Sequence, residues 1–361
     1  MSVYLAPFMI SIFITNETYD YMSQCTKEMY KSSVEYDECD YNTASAIFHS
    51  VDNKTIDIKI RRKGTSTWKD MNKKPSFKVK IENENVDFGV VEKGMYENWK
   101  TDKITLNNKI SETNALSPFG INTVGEKVAY DVFKKIGVIT PLTRDATVTL
   151  YRGQEKLRED EYLMVETIKN KDFVEKHWGE DTDVTIWEIE NSSAVCKKDY
   201  GPLADCDKEN KNEDIILSLS YSNYKDIGRY FAGEKLTGHW DASCRVNNMW
   251  VANVSGDLVV IPSGLDQTFQ CNIFNFENCN AHQACMSAVE CETQYKDTLN
   301  NYNKSDAETI EICSSSGLST GIIVGIVVGV FLVTIGIVFI NILYLTSQKS
   351  GIKPIKFYNY I

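Results

Sequence analysis

Two aspartates, Asp241 and Asp266, stand 25 residues apart, each at the edge of an apolar run. The first lies in His239-Trp240-Asp241-Ala242-Ser243-Cys244-Arg245-Val246-Asn247-Asn248. The second lies in Ile261-Pro262-Ser263-Gly264-Leu265-Asp266-Gln267-Thr268-Phe269. Carboxylates and amide oxygens gathered in one place suit a magnesium ion and a phosphate chain. Between them, Met249-Trp250-Val251-Ala252 and Leu258-Val259-Val260-Ile261 flank Asn253-Val254-Ser255-Gly256-Asp257. Two β-rich runs around a Ser-Gly-Asp turn predict a hairpin. Such a hairpin brings Asp241, Asn247 and Asp266 towards one end. Taken singly, Asp241 reads as a turn cap and Asp266 as a loop residue; only their arrangement points to chemistry.

A second group of residues would meet phosphates. Ile56-Asp57-Ile58-Lys59-Ile60 alternates with period two and predicts a strand, followed by Arg61-Arg62-Lys63-Gly64-Thr65-Ser66. Lys73-Lys74-Pro75-Ser76-Phe77-Lys78-Val79-Lys80-Ile81 alternates again, with Phe77, Val79 and Ile81 on one face and Ser76, Lys78 and Lys80 on the other. A half-buried strand with a solvated lysine face accounts for that pattern. So does a glycine turn followed by a strand lysine, Lys74 or Lys78, that holds a nucleotide's phosphates.

The elements that would position these groups are legible in part. Residues 3–14 predict a first strand. Residues 83–100 read as a polar loop, and Ile104–Asn108 as a short strand. Gly125–Gly137 predicts an amphipathic helix with Gly137 as its C-terminal cap. Ala146–Tyr151 and Glu161–Glu166 predict an antiparallel pair, Lys171–Trp178 and Ile215–Phe231 helices. Cys271, Cys279, Cys285 and Cys291 predict staples on a loop-rich segment whose pairing the spacing does not give.

The chain has 361 residues, 42% of them apolar, and a net charge of -11: the length is enough for one large two-lobed domain or two ordinary ones, and the charge argues against a nucleic-acid surface. Ten cysteines without a Cys-x-x-Cys pair, and only four histidines, argue for disulfides in an oxidising compartment over a zinc site. Five sequons, at Asn16, Asn53, Asn191, Asn253 and Asn303, agree. Gly321–Leu345 carries no charge, and about 20 such residues span a bilayer as a helix. The tail beyond it holds Lys349, Lys353 and Lys356, while Asp306, Glu308 and Glu311 precede it, so the basic tail is expected in the cytosol. A single-pass protein with an extracellular or luminal ectodomain follows. Gly321, Gly325 and Gly329 recur every four residues and offer a face for a homodimer.

The Trp240-Asp241, Asn247-Asn248 and Leu265-Asp266-Gln267-Thr268-Phe269 blocks, with Lys63-Gly64-Thr65-Ser66 and Lys73–Lys78, resemble the CotH (spore-coat protein H) family of atypical kinases. The chain departs from that family at Gly264, where the first acid of an Asp-x-Asp pair is usual, and at Lys63, where an Arg is usual. The resemblance implies an α+β, two-lobed atypical protein-kinase-like ectodomain plus one C-terminal transmembrane helix. Its parts would be an N-lobe-like β-rich half at 1–165, a C-lobe-like half at 166–275, a cysteine-rich juxtamembrane segment at 276–315, the span at 321–345 and the tail at 346–361. It implies Asp241 as the catalytic acid, Asn247 and Asp266 as Mg²⁺ ligands, and Lys74 or Lys78 on the phosphates of ATP. Glu126 would pair with that lysine or simply favour the helix dipole, and Glu166 would stand at the hinge where adenine docks. The implied activity is transfer of phosphate from Mg-ATP to hydroxyls of secreted or surface proteins. The alternative is a non-catalytic CotH-like adhesin or invasin that binds a surface receptor, or a pseudokinase. A glycosidase built on the two aspartates is a third class.

Overall fold

Seven strands close into a barrel in the order β1-β2-β3-β4-β7-β9-β8. They are β1 (Phe8–Ile14), β2 (Asn42–Phe48), β3 (Thr55–Lys63), β4 (Ser76–Ile81), β7 (Lys103–Asn107), β8 (Thr143–Arg152) and β9 (Glu155–Glu166). The structure is a computed structural model and describes residues 7–32, 36–49, 53–64, 68–83, 85–92, 95–109, 125–190, 193–201, 224–239, 248–265, 268 and 280–305. Neighbouring strands run antiparallel except at the seam, where β1 pairs parallel with β8 from Phe8↔Ala146 to Ile14↔Arg152. Alternation along β3 and β4 does what period two requires. Ile56, Ile58, Ile60, Phe77, Val79 and Ile81 point into the barrel core, each at most 4% exposed, and their neighbours point out.

The stretch expected as a polar loop is instead a hairpin, β5 (Val86–Glu92) and β6 (Met95–Thr101). Val86, Phe88 and Trp99 are buried in the barrel's core cluster. The Phe88 ring lies 5.2 Å from Phe8, 5.4 Å from Phe48 and 5.4 Å from Trp99. Three well-placed apolar side chains carry this hairpin, and the acids and amides between them mask it in the sequence.

The second sheet has the order β11-β10-β12-β13: β10 (Val184–Glu190), β11 (Ser193–Tyr200), β12 (Met249–Val254) and β13 (Asp257–Pro262). The hairpin expected around Ser255-Gly256 is there, with Ser255 at φ 52° and Gly256 at φ 102°. Both faces of this sheet are covered, which explains its continuous apolar runs. Met249, Val251, Leu258 and Val260 join one core with α3 (Gly125–Lys135), α5 (Tyr224–Thr237) and Cys291; Ala252, Val259 and Ile261 join another with α4 (Lys171–Trp178). Gly137 ends α3 with φ 81°, its N–H donating to Lys134 and the Val138 N–H to Phe133, the reciprocal pattern of a glycine cap. Two short helices, α1 (Asn16–Gln24) and α2 (Lys27–Lys31), lie between β1 and β2.

The cysteine-rich segment is helical where described, not loop-rich: α6 (Asn280–Ser287) and α7 (Val289–Ser305) are joined by the Cys285–Cys291 disulfide. A second disulfide links Cys25 to Cys39, Cys196 is also disulfide-bonded, and no described cysteine is free. By its contacts the chain divides into Met1–Cys313 and Ser314–Ile361. The second unit, with the expected span at 321–345 and its glycines, lies outside the described residues. Among the described residues no helix is long and apolar enough to cross a membrane.

Candidate functional site

A cleft of about 400 Å³ opens between the barrel and the four-stranded sheet. The barrel contributes Arg61 and Lys63 from β3, Gly64 just after it, Ser76 and Lys78 from β4, and Asn107 to Lys109 at the end of β7. Helix α3 contributes Glu126 and Tyr130, and the end of β9 leads into the wall at Val165 to Lys169. The sheet contributes Glu188, Lys197 and Trp250, and the two ends of its central hairpin contribute Asn248, Ser263 and Gly264. Six basic side chains line this cleft against three acidic ones, in a chain whose net charge is -11. Such a concentration of cations in a concave, partly desolvated wall attracts polyanions.

Lys78 lies on the wall, while the Lys74 ammonium sits 5.3 Å from the Tyr162 ring centroid. Of the two lysines left open by the sequence, Lys78 is the one that lines the cleft. Burial, then the neighbouring cations Arg61 and Lys63, push its ammonium down to about 7 against the pull of Glu188. Glu188 stands on β10 opposite Trp250, and its carboxylate lies 3.0 Å from Lys197. Burial raises it, but Lys197, Lys78 and Lys169 more than offset this and hold it below the usual carboxylate range.

Glu126 is held by an amide, where the resemblance implied a direct pairing with Lys74 or Lys78 or a role on the helix dipole alone. Asn107 Nδ2 donates to Glu126 Oε1 at 2.7 Å, and Lys63 Nζ donates to Asn107 Oδ1 at 2.7 Å. The helix carboxylate therefore reaches Lys63 through an amide relay. Burial pushes its pKa up, opposed by Lys63, by the Asn107 hydrogen bond and by Lys109. Lys109 is itself held at 2.6 Å by Asp145.

Glu166 lines the cleft at the end of β9, yet its carboxylate is committed elsewhere. It accepts from Lys176 Nζ at 2.8 Å and from the Leu142 N–H at 2.9 Å, tying the strand end to α4 and to the start of β8. The resemblance implies a hinge at this strand end, where backbone groups would meet adenine, and the buried Glu166 side chain clamps that end.

The central hairpin brings its two ends together, with the Ser263 N–H donating to the Asn248 carbonyl at 3.3 Å. Asn247 precedes one end in the sequence and Asp266 follows the other; both, with Asp241, lie outside the described residues. Among the described residues no group of His, Cys, Asp and Glu is disposed to hold a metal ion. His239, at the start of the same stretch, is 1% exposed, and burial pushes it down to about 3, so it stays neutral. Gly264 has φ 58°, and a Cβ there would meet Asn248 Oδ1 at 2.7 Å and Cγ at 2.8 Å. Asn248 itself is left-handed at φ 47°.

Residues 60–229 match the family described as CotH kinase protein. The chain contains a CotH domain. The matched range takes in Lys63, Lys78, Glu126, Glu166, Glu188 and Lys197, hence most of the charged cleft, and stops before Asp241. Comparison with curated proteins finds no match. Cleft residues that escaped the sequence reading include Asn107, Glu188 and Lys197. Asn107 lies 44 residues from Lys63 and 19 from Glu126, and no local pattern announces such a bridge.

Proposed function

We propose that the CotH domain binds Mg-ATP between two kinase-like lobes, the barrel and the four-stranded sheet, and transfers its terminal phosphoryl group to a protein hydroxyl. The observation that carries this reading is the cationic cleft, in which Lys78 and the Lys63–Asn107–Glu126 relay line a cavity of ligand size from neighbouring strands and α3. In this reading Lys78 and Lys63 take the phosphates, and Trp250, Val165 and Ile168 are the apolar lining side chains that would receive a base. Asp241 accepts the acceptor hydroxyl's proton as the oxygen–phosphorus bond forms and the bond to the β-phosphate oxygen breaks. Asn247 and Asp266 are the residues that would hold Mg²⁺, which neutralises charge on the phosphates. Phosphoryl transfer to a generic protein acceptor, followed with labelled ATP, tests this. Asp241→Asn is expected to keep nucleotide binding and to lose transfer; equal transfer by both proteins refutes the assignment.

A second reading, a pseudokinase or surface adhesin that binds a receptor, is favoured by Gly264, which lacks the carboxylate that the family usually places there for a divalent metal and whose added Cβ would press on the Asn248 side chain. Binding of nucleotide without transfer separates a pseudokinase from the kinase, and no nucleotide binding at all favours the adhesin. In either reading we place the domain outside the cytosol on a single helix at 321–345. The paired cysteines Cys25, Cys39, Cys285 and Cys291, and the exposed sequon residues Asn16 and Asn53, support this placement. A shift in gel mobility on deglycosylation is its expected signature, and ten free thiols on denatured, unreduced protein would contradict it.

A further inference from the structure

We propose that Tyr30 is a ligand-contacting residue of the cleft, carried there by a disulfide-pinned segment and facing the terminal phosphate of the bound nucleotide; this assignment rests on the nucleotide reading above. Tyr30 sits on α2, outside the range matched by the CotH family, yet it lines the same cleft as Lys63 and Gly64. A five-residue helix has no stability of its own, so its position needs an external cause, and four are present. Thr26 Oγ1 accepts the Met29 N–H at 3.2 Å and caps the helix. Cys25, just before it, is bonded to Cys39. Buried Arg62 donates to the carbonyls of Cys25 at 2.7 Å and Met22 at 3.3 Å, and from its other nitrogen to Lys69. Trp68 lies between the two parts, 4.0 Å from the Arg62 guanidinium and 5.2 Å from the Tyr30 ring.

Arg62, Trp68 and the Cys25 disulfide thus fasten α2 to the chain on either side of the glycine turn. Lys63 lines the cleft from the strand that Arg62 belongs to, and in the nucleotide reading above Lys63 takes the phosphates. A phenol in the same cleft adds a neutral O–H donor for a phosphate oxygen without adding charge.

Affinities of the full-length protein for AMP, ADP and ATP, each with Mg²⁺, test the assignment. Tyr30→Phe keeps the ring on Trp68 and removes only the hydroxyl. It is expected to weaken ATP by about tenfold, the scale of a hydrogen bond to a charged group, and to leave AMP, which has no outer phosphate to accept that bond, within about twofold. The Cys25→Ser, Cys39→Ser double variant is expected to show the same ATP-selective loss, because it releases the segment. An equal loss for AMP and ATP, no loss for either, or a loss confined to the acceptor's KM would overturn the assignment while leaving nucleotide binding intact. A wild-type protein that binds none of the three would remove the nucleotide reading and this inference together.

Discussion

Position 264 shows how one residue's backbone decides what chemistry is open to it. Read as sequence, Gly264 looks like a lost carboxylate that Gly264→Asp would restore. In the structure the backbone is left-handed at φ 58° and the Asn248 amide fills the space in front of it. Strain in this region costs on the order of 1–3 kcal/mol for a residue with a Cβ, and the displaced Asn248 is itself left-handed. Gly264→Asp is therefore expected to lower stability by about 2 kcal/mol, read as a fall in the denaturant midpoint, and to give no gain in transfer. A gain in transfer at unchanged stability would show that Asn248 yields easily. Other single-residue roles were visible only in part. A lysine on β4 and a glutamate opening α3 are recognisable from pattern. That the glutamate turns to Lys63 through Asn107, and that Lys78 meets Glu188 from another sheet, depends on contacts between distant segments.

Among the elements, the periodic ones were legible and the diluted ones were not. Strands β3 and β4, the α3 helix with its glycine cap, and the β12–β13 hairpin follow from alternation, three-to-four spacing and turn residues. The β5–β6 hairpin does not, because polar residues surround the few that pack, Val86, Phe88 and Trp99. Helices α6 and α7 were hidden by their cysteines, which suggest loops when counted without their spacing on a helix. Phe88 tests the hairpin directly. Its ring packs on Phe8, Phe48 and Trp99, so Phe88→Ala is expected to cost about 3–5 kcal/mol by chemical denaturation. A loss under 1 kcal/mol, the scale of an exposed loop position, would return the segment to a loop.

On the scale of the whole molecule, two properties come from closure, which no local pattern encodes. The barrel is sealed by β1 lying parallel to β8, strands more than a hundred residues apart in the chain. The cleft gathers six cations from both sheets and from the strand-to-helix segment, so an acidic chain presents a basic interior wall. Lys78 on its wall, held down at about 7 by burial and by Arg61 and Lys63, is largely neutral at pH 8 until an anion arrives. Phosphate oxygens favour its charged form, so binding must take up a proton. Calorimetric titration of the full-length protein with Mg-ATP at pH 8, in two buffers of different ionisation enthalpy, measures both affinity and protons together. The expected result is saturable binding with uptake of about one proton per nucleotide, and loss of that uptake together with most of the affinity in Lys78→Met. Binding without proton uptake, or equal affinity in Lys78→Met, would contradict the assignment of the cleft as a phosphate site built around Lys78.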